Sequence, residues 1–180
     1  MIPCYVGGKG MHATALTRDF KTLVIRDLES SGLGYDTRYR FYRAQYPEIP
    51  PDELARMVCD PIENYDKDWP DWLATHGGTR ETALAAFVLE RDTQFRDEAR
   101  LACYCFDEAG FGSGINVMRF IHAGKPLLGF YGANAATHGM NLGNVLQLGL
   151  EFPGLVTLVR YGTLEEVPQR LVAFLRHLQA

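Results

Sequence analysis

Short apolar runs alternate along the chain with longer segments in which apolar residues have helical spacing. Four runs have the composition of β-strands: residues 1–6, 101–106, 126–131 and 155–161. Helical spacing is found in four segments: residues 13–30, 80–99, 115–123 and 163–178. Because strands and helices alternate, the pattern predicts an α/β domain with an open, doubly wound parallel sheet.

A segment over residues 35–78 interrupts this alternation. It is rich in tyrosine, tryptophan and proline, and it contains a short predicted helix over residues 52–58 after Pro50-Pro51. Disordered segments are poor in aromatic residues, so we expect an ordered insertion. Its aromatic side chains either pack the insertion onto the body of the domain, which is the favoured interpretation, or form a lid or an oligomer contact.

Two further features lie toward the end of the chain. Residues 132–143 are polar and contain glycine, which predicts a loop. Thr163 and Glu166 have the spacing of a capping box at the start of the last predicted helix. That helix is amphipathic, with Val167 and Leu171 on its apolar face.

The length and charge of the chain narrow the class of protein. Its 180 residues fit one domain, and a composition of 47% apolar and 22% charged residues excludes a disordered chain. A net charge of −4 argues against a surface for nucleic acid or anionic lipid, which requires clustered lysine and arginine. Because the sequence has no run of about 18 apolar residues and no basic start before an apolar stretch, we expect neither a transmembrane helix nor a signal peptide. We therefore expect a cytoplasmic location.

The four cysteines predict neither a metal site nor a disulfide framework. Cys4, Cys59, Cys103 and Cys105 lack the paired C-x-x-C spacing of zinc sites. Cys103 and Cys105 lie two apart in a predicted strand, and we interpret them as small core residues. We therefore expect reduced thiols, no bound metal and no cofactor.

Two glycine loops follow predicted strands, at the edge where parallel sheets bind ligands. Gly7-Gly8-Lys9-Gly10 follows the first strand, and Gly112-Ser113-Gly114 precedes the helix predicted to begin at Ile115. Glycine lets backbone N–H groups approach a phosphate or a sugar closely, and the helix dipole favours an anion there. Neither loop has the spacing of a P-loop or of a dinucleotide-binding fingerprint.

Three acidic residues are candidates for chemistry at the same edge. Asp107 and Glu108 end the strand before the second glycine loop, and Asp92 lies one helix earlier. A carboxylate in this position contacts a sugar hydroxyl or acts as an acid, a base or a nucleophile. The alternative is that each of them is a turn residue or a charge on a solvated helix face.

The order of these motifs resembles the nucleoside 2-deoxyribosyltransferase superfamily, which includes nucleotide N-glycosidases. Cys4-Tyr5-Val6-Gly7-Gly8 resembles the family's first strand and glycine turn, and Glu90-Arg91-Asp92 is similar to its helix-borne aspartate. The most recognisable stretch is Gly112-Ser113-Gly114-Ile115-Asn116, followed by Ala123-Gly124-Lys125-Pro126. The resemblance leaves the insertion unmatched and implies a single Rossmann-like domain over residues 1–180.

The resemblance implies a protein that binds a nucleoside or a nucleoside monophosphate and acts at the N-glycosidic bond. The implied substrate-binding residues are Tyr5, Gly7, Gly8, Asp107, Gly112, Ser113, Gly114 and Asn141. Within this set the glycine-rich stretch before the helix would hold phosphate or ribose through backbone N–H groups. Asp92 and Glu108 would supply the acidic chemistry. Asn141-Leu142 resembles a segment that reaches a neighbouring subunit's site in the family, which implies a homo-oligomer.

One position departs from the family's pattern. The second residue after Gly-x-Gly, which in the family is the glutamate that attacks the anomeric carbon, is here Asn116. An amide replaces neither the nucleophile nor the acid of a retaining glycosyl transfer.

Three alternatives for the function stay open. In the first, Glu108 or Asp107 supplies the carboxylate of a rearranged N-glycosidase or transferase. In the second, Asn116 binds a ribose hydroxyl in a catalytically silent nucleotide-binding sensor. In the third, the fold is an interaction scaffold whose contact surface is the aromatic insertion.

Overall fold

The sheet has five parallel strands. The computed structural model describes residues 1–10, 13–59, 66–132 and 139–179, without the side chains of residues 139–141. In chain order the strands are β1 (Ile2–Gly7), β2 (Gly34–Asp36), β3 (Leu101–Cys105), β4 (Leu127–Gly132) and β5 (Val156–Tyr161). Their order across the sheet is β2-β1-β3-β4-β5, and every neighbouring pair is parallel. The four predicted strands are therefore confirmed, with bounds that differ by one residue.

Helices flank the sheet. They are α1 (Ala15–Ser31), α2 (Thr37–Gln45), α3 (Pro51–Met57), α4 (Trp69–His76), α5 (Arg80–Glu98), α6 (Phe111–His122), α7 (Gly139–Glu151) and α8 (Val167–Gln179). The prediction of a doubly wound, Rossmann-like α/β fold is confirmed. Thr79 caps α5 as its position indicates, because its hydroxyl accepts the N–H of Thr82 at 3.3 Å.

The direction of winding reverses between β1 and β3. The chain leaves β1 toward β2 on one side, and it leaves β3 toward β4 on the other side. Such connections are right-handed, so α1 and α6 lie on opposite faces of the sheet. The loops that lead from β1 to α1 and from β3 to α6 therefore diverge at the carboxyl ends of these two strands. This position is the topological switch point of the sheet.

The segment predicted as an insertion contributes to the sheet. Tyr35 and Asp36 belong to β2, a strand that the sequence pattern does not predict because it has only three residues and no apolar run. Asp36 is buried and joins β2 to β1 and α2. Its carboxylate accepts the N–H of Val6 at 2.9 Å and the N–H of Tyr39 at 2.7 Å. The short helix predicted over residues 52–58 is confirmed as α3, one residue earlier.

The aromatic residues of this segment pack against the body of the domain. The Tyr42 ring lies 5.9 Å from the Phe95 ring, and the Trp69 ring lies 5.1 Å from the Phe87 ring. Tyr42 is fully buried, and its hydroxyl donates to Asp66 at 2.5 Å. The packing interpretation is therefore confirmed for these side chains, which are not available as an aromatic contact surface.

Two boundaries differ from the predictions by several residues. Helix α6 begins at Phe111 and not at Ile115, so the glycine-rich stretch forms its first turn and is not a separate loop. The loop predicted over residues 132–143 ends earlier, because α7 begins at Gly139; residues 133–138 lie outside the described part of the chain. Glycine lowers helix propensity in both places, and there the tertiary setting overrides it.

The predicted capping box at the last helix is not formed. Glu166 accepts the N–H of Gly162 at 3.2 Å instead of the N–H of Thr163, and Thr163 makes no side-chain cap bond. A 3-10 turn over Leu164–Glu166 precedes α8. The extra turn moves the start of α8 past the predicted N-cap.

All four cysteines are free and buried. In the part of the chain that the structure describes, no three His, Cys, Asp or Glu side chains are grouped to hold a metal ion. Across those same ranges, no helix has both the length and the apolar character to cross a membrane.

Glycines on the two strands next to β3 make room for two aromatic rings, those of Tyr104 and Phe106. In the sheet register, Tyr104 of β3 lies between Gly7 of β1 and Gly129 of β4. A Cβ on Gly7 would lie 2.2 Å from Cζ of Tyr104, and a Cβ on Gly129 would lie 2.3 Å from Cε2 of Phe106. Both distances are far below van der Waals contact, so these two positions require glycine for packing and not for a turn.

We expect the Gly129→Ala variant to be less stable than the native protein by about 1–3 kcal/mol, because the added methyl group overlaps the Phe106 ring. Urea unfolding followed by circular dichroism measures the difference. The control is Gly143→Ala in α7, where a Cβ has no neighbour within 4 Å. Alanine there should stabilise the helix by up to about 1 kcal/mol. Equal stability of the two variants would contradict the packing argument.

Candidate functional site

Three side chains from distant parts of the sequence meet at the switch point. The Tyr5 hydroxyl of β1 donates to Oδ1 of Asp92 on α5 at 3.1 Å. Nδ2 of Asn116 on α6 donates to Oδ2 of Asp92 at 3.3 Å and lies 3.5 Å from the Tyr5 hydroxyl. These are three of the residues that the sequence nominates, and the fold places them in one hydrogen-bonded cluster.

A fourth member, Arg96, is one helical turn beyond Asp92. Its NH1 group donates to Oδ1 of Asn116 at 2.7 Å and lies 3.9 Å from Oδ2 of Asp92. Its NH2 group donates to the hydroxyl of Thr93 at 2.8 Å. Arg96 is only 6% exposed, so its charge acts on its neighbours with little screening by water. We call Tyr5, Asp92, Arg96 and Asn116 the switch-point cluster.

The Tyr5 ring is held on several sides. It lies 6.2 Å from the Tyr104 ring and 5.5 Å from the Phe120 ring. The guanidinium of Arg38 lies 5.6 Å from the centre of the ring and donates to the carbonyl of Val6 at 2.8 Å. Burial, and then the charge of Asp92, raise the pKa of the Tyr5 hydroxyl well above its ordinary value. Tyr5 therefore stays a neutral phenol that donates a hydrogen bond to Asp92.

The first glycine turn lies beside this cluster. Gly7 ends β1 and is covered by the Tyr104 ring, which accounts for glycine at that position. Gly8 has a φ of +152°, a backbone conformation that favours glycine, and a Cβ there would approach Cys105 at 3.3 Å. The turn is thus required by close packing between β1 and β3.

Glu108 has a different position from the one expected of a catalytic carboxylate. Its Oε2 atom accepts three hydrogen bonds from the start of α1: Thr14 N–H at 2.9 Å, Thr14 Oγ1 at 2.7 Å and Thr17 Oγ1 at 2.6 Å. The Nζ atom of Lys9 lies 3.7 Å from its Oε1 atom. A carboxylate at a helix N-terminus interacts favourably with the helix dipole. Glu108 therefore joins the end of β3 to the first turn of α1.

Asp107 is almost fully buried, with 1% exposure. It accepts the N–H of Gly132 at 2.6 Å and a short hydrogen bond from the Tyr161 hydroxyl. Burial, and then the bond to Asp107, raise the pKa of Tyr161. These contacts place Asp107 between the ends of β3, β4 and β5, where it crosslinks the strands.

The first turn of α6 lies next to the switch-point cluster. Gly110 is its N-cap, and a Cβ on Gly112 or Gly114 would meet no atom within 4 Å. Ser113 is 8% exposed and shares a helix face with Asn116 and Val117. The first N–H groups of a helix have no partner within the helix, so this turn offers donors to an anion.

Sequence reasoning missed Arg38, Arg96 and Tyr104. Arg96 could have been found, because Asp92 and Arg96 have the i, i+4 spacing of an ion pair on a helix. No local pattern indicates Arg38 or Tyr104, which reach the site through strand order and register. Asn141 lies on α7, but its side chain is outside the described residues, so its contribution to a neighbouring subunit stays a prediction.

Comparison of the chain with protein-family models, curated proteins and solved structures gives no match. The resemblance to the nucleoside 2-deoxyribosyltransferase superfamily therefore stays a prediction from the motifs. The hydrogen bonds of the switch-point cluster are independent of that resemblance.

We expect Glu108→Gln to destabilise the protein by about 1–2 kcal/mol at pH 7, because the variant replaces charge-assisted hydrogen bonds with neutral ones. Burial alone would raise the pKa of Glu108, but the bonds from Thr17 and Thr14 and the charge of Lys9 lower it. A lowered pKa in the folded state contributes stability above the ordinary glutamate pKa of about 4.3. That contribution is lost as the pH falls through the lowered value.

Thermal unfolding of both proteins between pH 3 and pH 8 measures this effect. The difference in Tm should be greatest at pH 6–8 and should shrink below about pH 4. The control is Glu151→Gln at the exposed end of α7, which should leave Tm unchanged at every pH. A Glu108→Gln protein with native stability would contradict the anchoring role and would return Glu108 to the list of catalytic candidates.

Proposed function

We propose that the protein binds a nucleoside or a nucleoside monophosphate at the carboxyl edge of β1 and β3. The observation that carries the proposal is the switch-point cluster, in which Tyr5, Asp92 and Asn116 from three elements share hydrogen bonds. Open α/β sheets bind ligands at the position where the winding reverses, and the cluster lies there. Three of its four residues, Tyr5, Asp92 and Asn116, are also nominated by the motif resemblance.

The cluster suits a sugar. Both oxygens of Asp92 already accept one bond, from Tyr5 and from Asn116, and an ionised carboxylate has about four acceptor positions. The Asp92 side chain is 17% exposed, so its remaining acceptor positions can be reached from solvent. A ribose hydroxyl is the donor that such a group binds.

The first turn of α6 suits a phosphate. Its N–H groups and the open space at Gly112 and Gly114 allow close approach by an anion. The competing position, the N-terminus of α1, already holds the Glu108 carboxylate. The proposal therefore assigns the phosphate to α6 and the sugar to Asp92, which are joined through Asn116.

Binding is favoured over cleavage of the N-glycosidic bond. Glu108 is committed to α1, Asp107 is buried between strands, and the position of the family's nucleophile is the amide Asn116. This leaves Asp92 as the carboxylate of the cluster, and retaining glycosyl transfer uses two carboxyl groups. We therefore place the protein with nucleotide-binding proteins that hold the intact ligand.

Thermal unfolding with a panel of nucleosides and nucleoside 5′-monophosphates tests the proposal. At a ligand concentration of about 100 Kd, binding should stabilise the protein by about 2.7 kcal/mol and raise Tm. The 5′-monophosphate should bind more tightly than the matching nucleoside. Chromatography of the same mixtures should show no free base. A panel that leaves Tm unchanged throughout would overturn the proposal.

We expect Asp92→Asn to weaken binding of the tightest ligand by about tenfold or more, because it removes a charged acceptor from the sugar. Isothermal titration calorimetry measures the Kd. Asp97→Asn, an exposed change on the same helix, is the matched control and should leave the Kd unchanged. Equal losses in the two variants would show that Asp92 makes no specific contact.

Asn116→Glu tests whether the site can be converted to cleavage. The new carboxylate would lie near NH1 of Arg96, which is 2.7 Å from Oδ1 of Asn116, so the guanidinium would favour its ionised form. With Asp92 it would form a pair of carboxyl groups, and we expect slow release of free base, measured by chromatography over hours. Asn116→Gln is the control and should release no base, since a glutamine side chain has the length of glutamate but no charge.

A further inference from the structure

We propose that Arg96 is the positioning residue of the site: it fixes the orientation of the Asn116 amide and thereby gives Asp92 its selectivity for a ligand hydroxyl. This inference rests on the proposed function for its ligand. It concerns a residue that neither the motifs nor the family resemblance nominates.

The argument begins with donors and acceptors. A guanidinium carries N–H donors only, whereas an amide has a carbonyl oxygen on one side and an NH2 group on the other. NH1 of Arg96 lies 2.7 Å from Asn116, so the amide must present its oxygen to Arg96. The opposite orientation would bring two donors together. The NH2 group of Asn116 therefore faces Asp92 and Tyr5.

The position of Arg96 itself is restricted. Its NH2 group donates to the Thr93 hydroxyl at 2.8 Å, one turn earlier on α5. Its backbone carbonyl accepts Nζ of Lys125 at 2.7 Å. Arg96 is 6% exposed, and two nitrogens of its planar guanidinium donate hydrogen bonds to neighbouring side chains. The side chain therefore has little freedom to turn away from Asn116.

The consequence concerns the hydrogen bonds that a ligand can make. Asp92 is held as an acceptor by Tyr5 and Asn116, with the Arg96 charge 3.9 Å away. An ionised carboxylate has no proton to donate, so it binds hydroxyl donors and rejects acceptors. If the amide turned, its oxygen would face the carboxylate, and Asp92 would lose one of the two bonds that hold it.

The first test needs no ligand. The side-chain amide of Asn116, assigned in NMR spectra through its absence in Asn116→Asp, should show slowed hydrogen exchange in the native protein. Arg96→Met, which keeps a long side chain without donors, should accelerate that exchange at least tenfold. Arg96→Lys keeps the charge and a single donor nitrogen, and it should give an intermediate rate. An unchanged exchange rate in Arg96→Met would overturn the inference even if a nucleotide binds.

The second test compares a ribonucleoside 5′-monophosphate with its 2′,3′-dideoxy analogue by calorimetry. The native protein should prefer the ligand with hydroxyl groups by about tenfold or more. Arg96→Met should reduce that ratio to near one by weakening the ribonucleotide alone, and Arg96→Lys should restore part of it. Arg119→Met, an exposed change on α6, is the control and should keep the native ratio.

The outcomes separate the two proposals. A proportional loss of affinity for both ligands in Arg96→Met, with a lower Tm, would mean a merely structural role and would overturn the inference. Failure of the native protein to bind either ligand would overturn the proposed function, while the exchange measurement would still decide the role of Arg96.

Discussion

The reversal of winding between β1 and β3 is the constraint on which the site depends. It sends α1 and α6 to opposite faces of the sheet, so the two loops that follow these strands diverge and leave an opening. Tyr5 on β1 and Asn116 on α6 come from the elements that border this opening, and α5 supplies Asp92 and Arg96. Chain segments more than 80 residues apart meet there because strand order, and not sequence proximity, decides which strand ends are neighbours.

Two aromatic rings also pack closely against glycines of the sheet. The Tyr104 ring covers Gly7, and the Phe106 ring covers Gly129, at distances that exclude any other residue. Tyr5 stacks beside Tyr104 and is thereby held toward Asp92. Gly7, which the motif resemblance assigns to a ligand, therefore first accommodates the Tyr104 ring that packs beside Tyr5.

Apolar periodicity predicted the fold class and four of the five strands, because buried parallel strands and amphipathic helices produce strong patterns. It missed β2, whose three residues are too few for a pattern, and it missed α2 and α4 in the aromatic segment. It also missed α7, whose glycines lower local helix propensity. For the site, the motif resemblance nominated Tyr5 and Asn116, and the reasoning from strand ends nominated Asp92. It also nominated Asp107 and Glu108, whose positions next to the edge do not reveal that neighbouring strands and α1 already bind them.

Charge balance explains why an amide suits position 116 in a binding site. A glutamate there would set two carboxylates against the single guanidinium of Arg96 in a largely buried cluster, and like charges at such separations disfavour joint ionisation. With Asn116, one carboxylate faces one guanidinium, and the amide bridges them with a donor on one side and an acceptor on the other. The side chains of the cluster are then hydrogen-bonded to one another, and none of these bonds requires a protonated carboxyl group. In the proposed function this arrangement would hold a sugar hydroxyl in a fixed geometry, and it lacks the second carboxyl group that retaining glycosyl transfer uses.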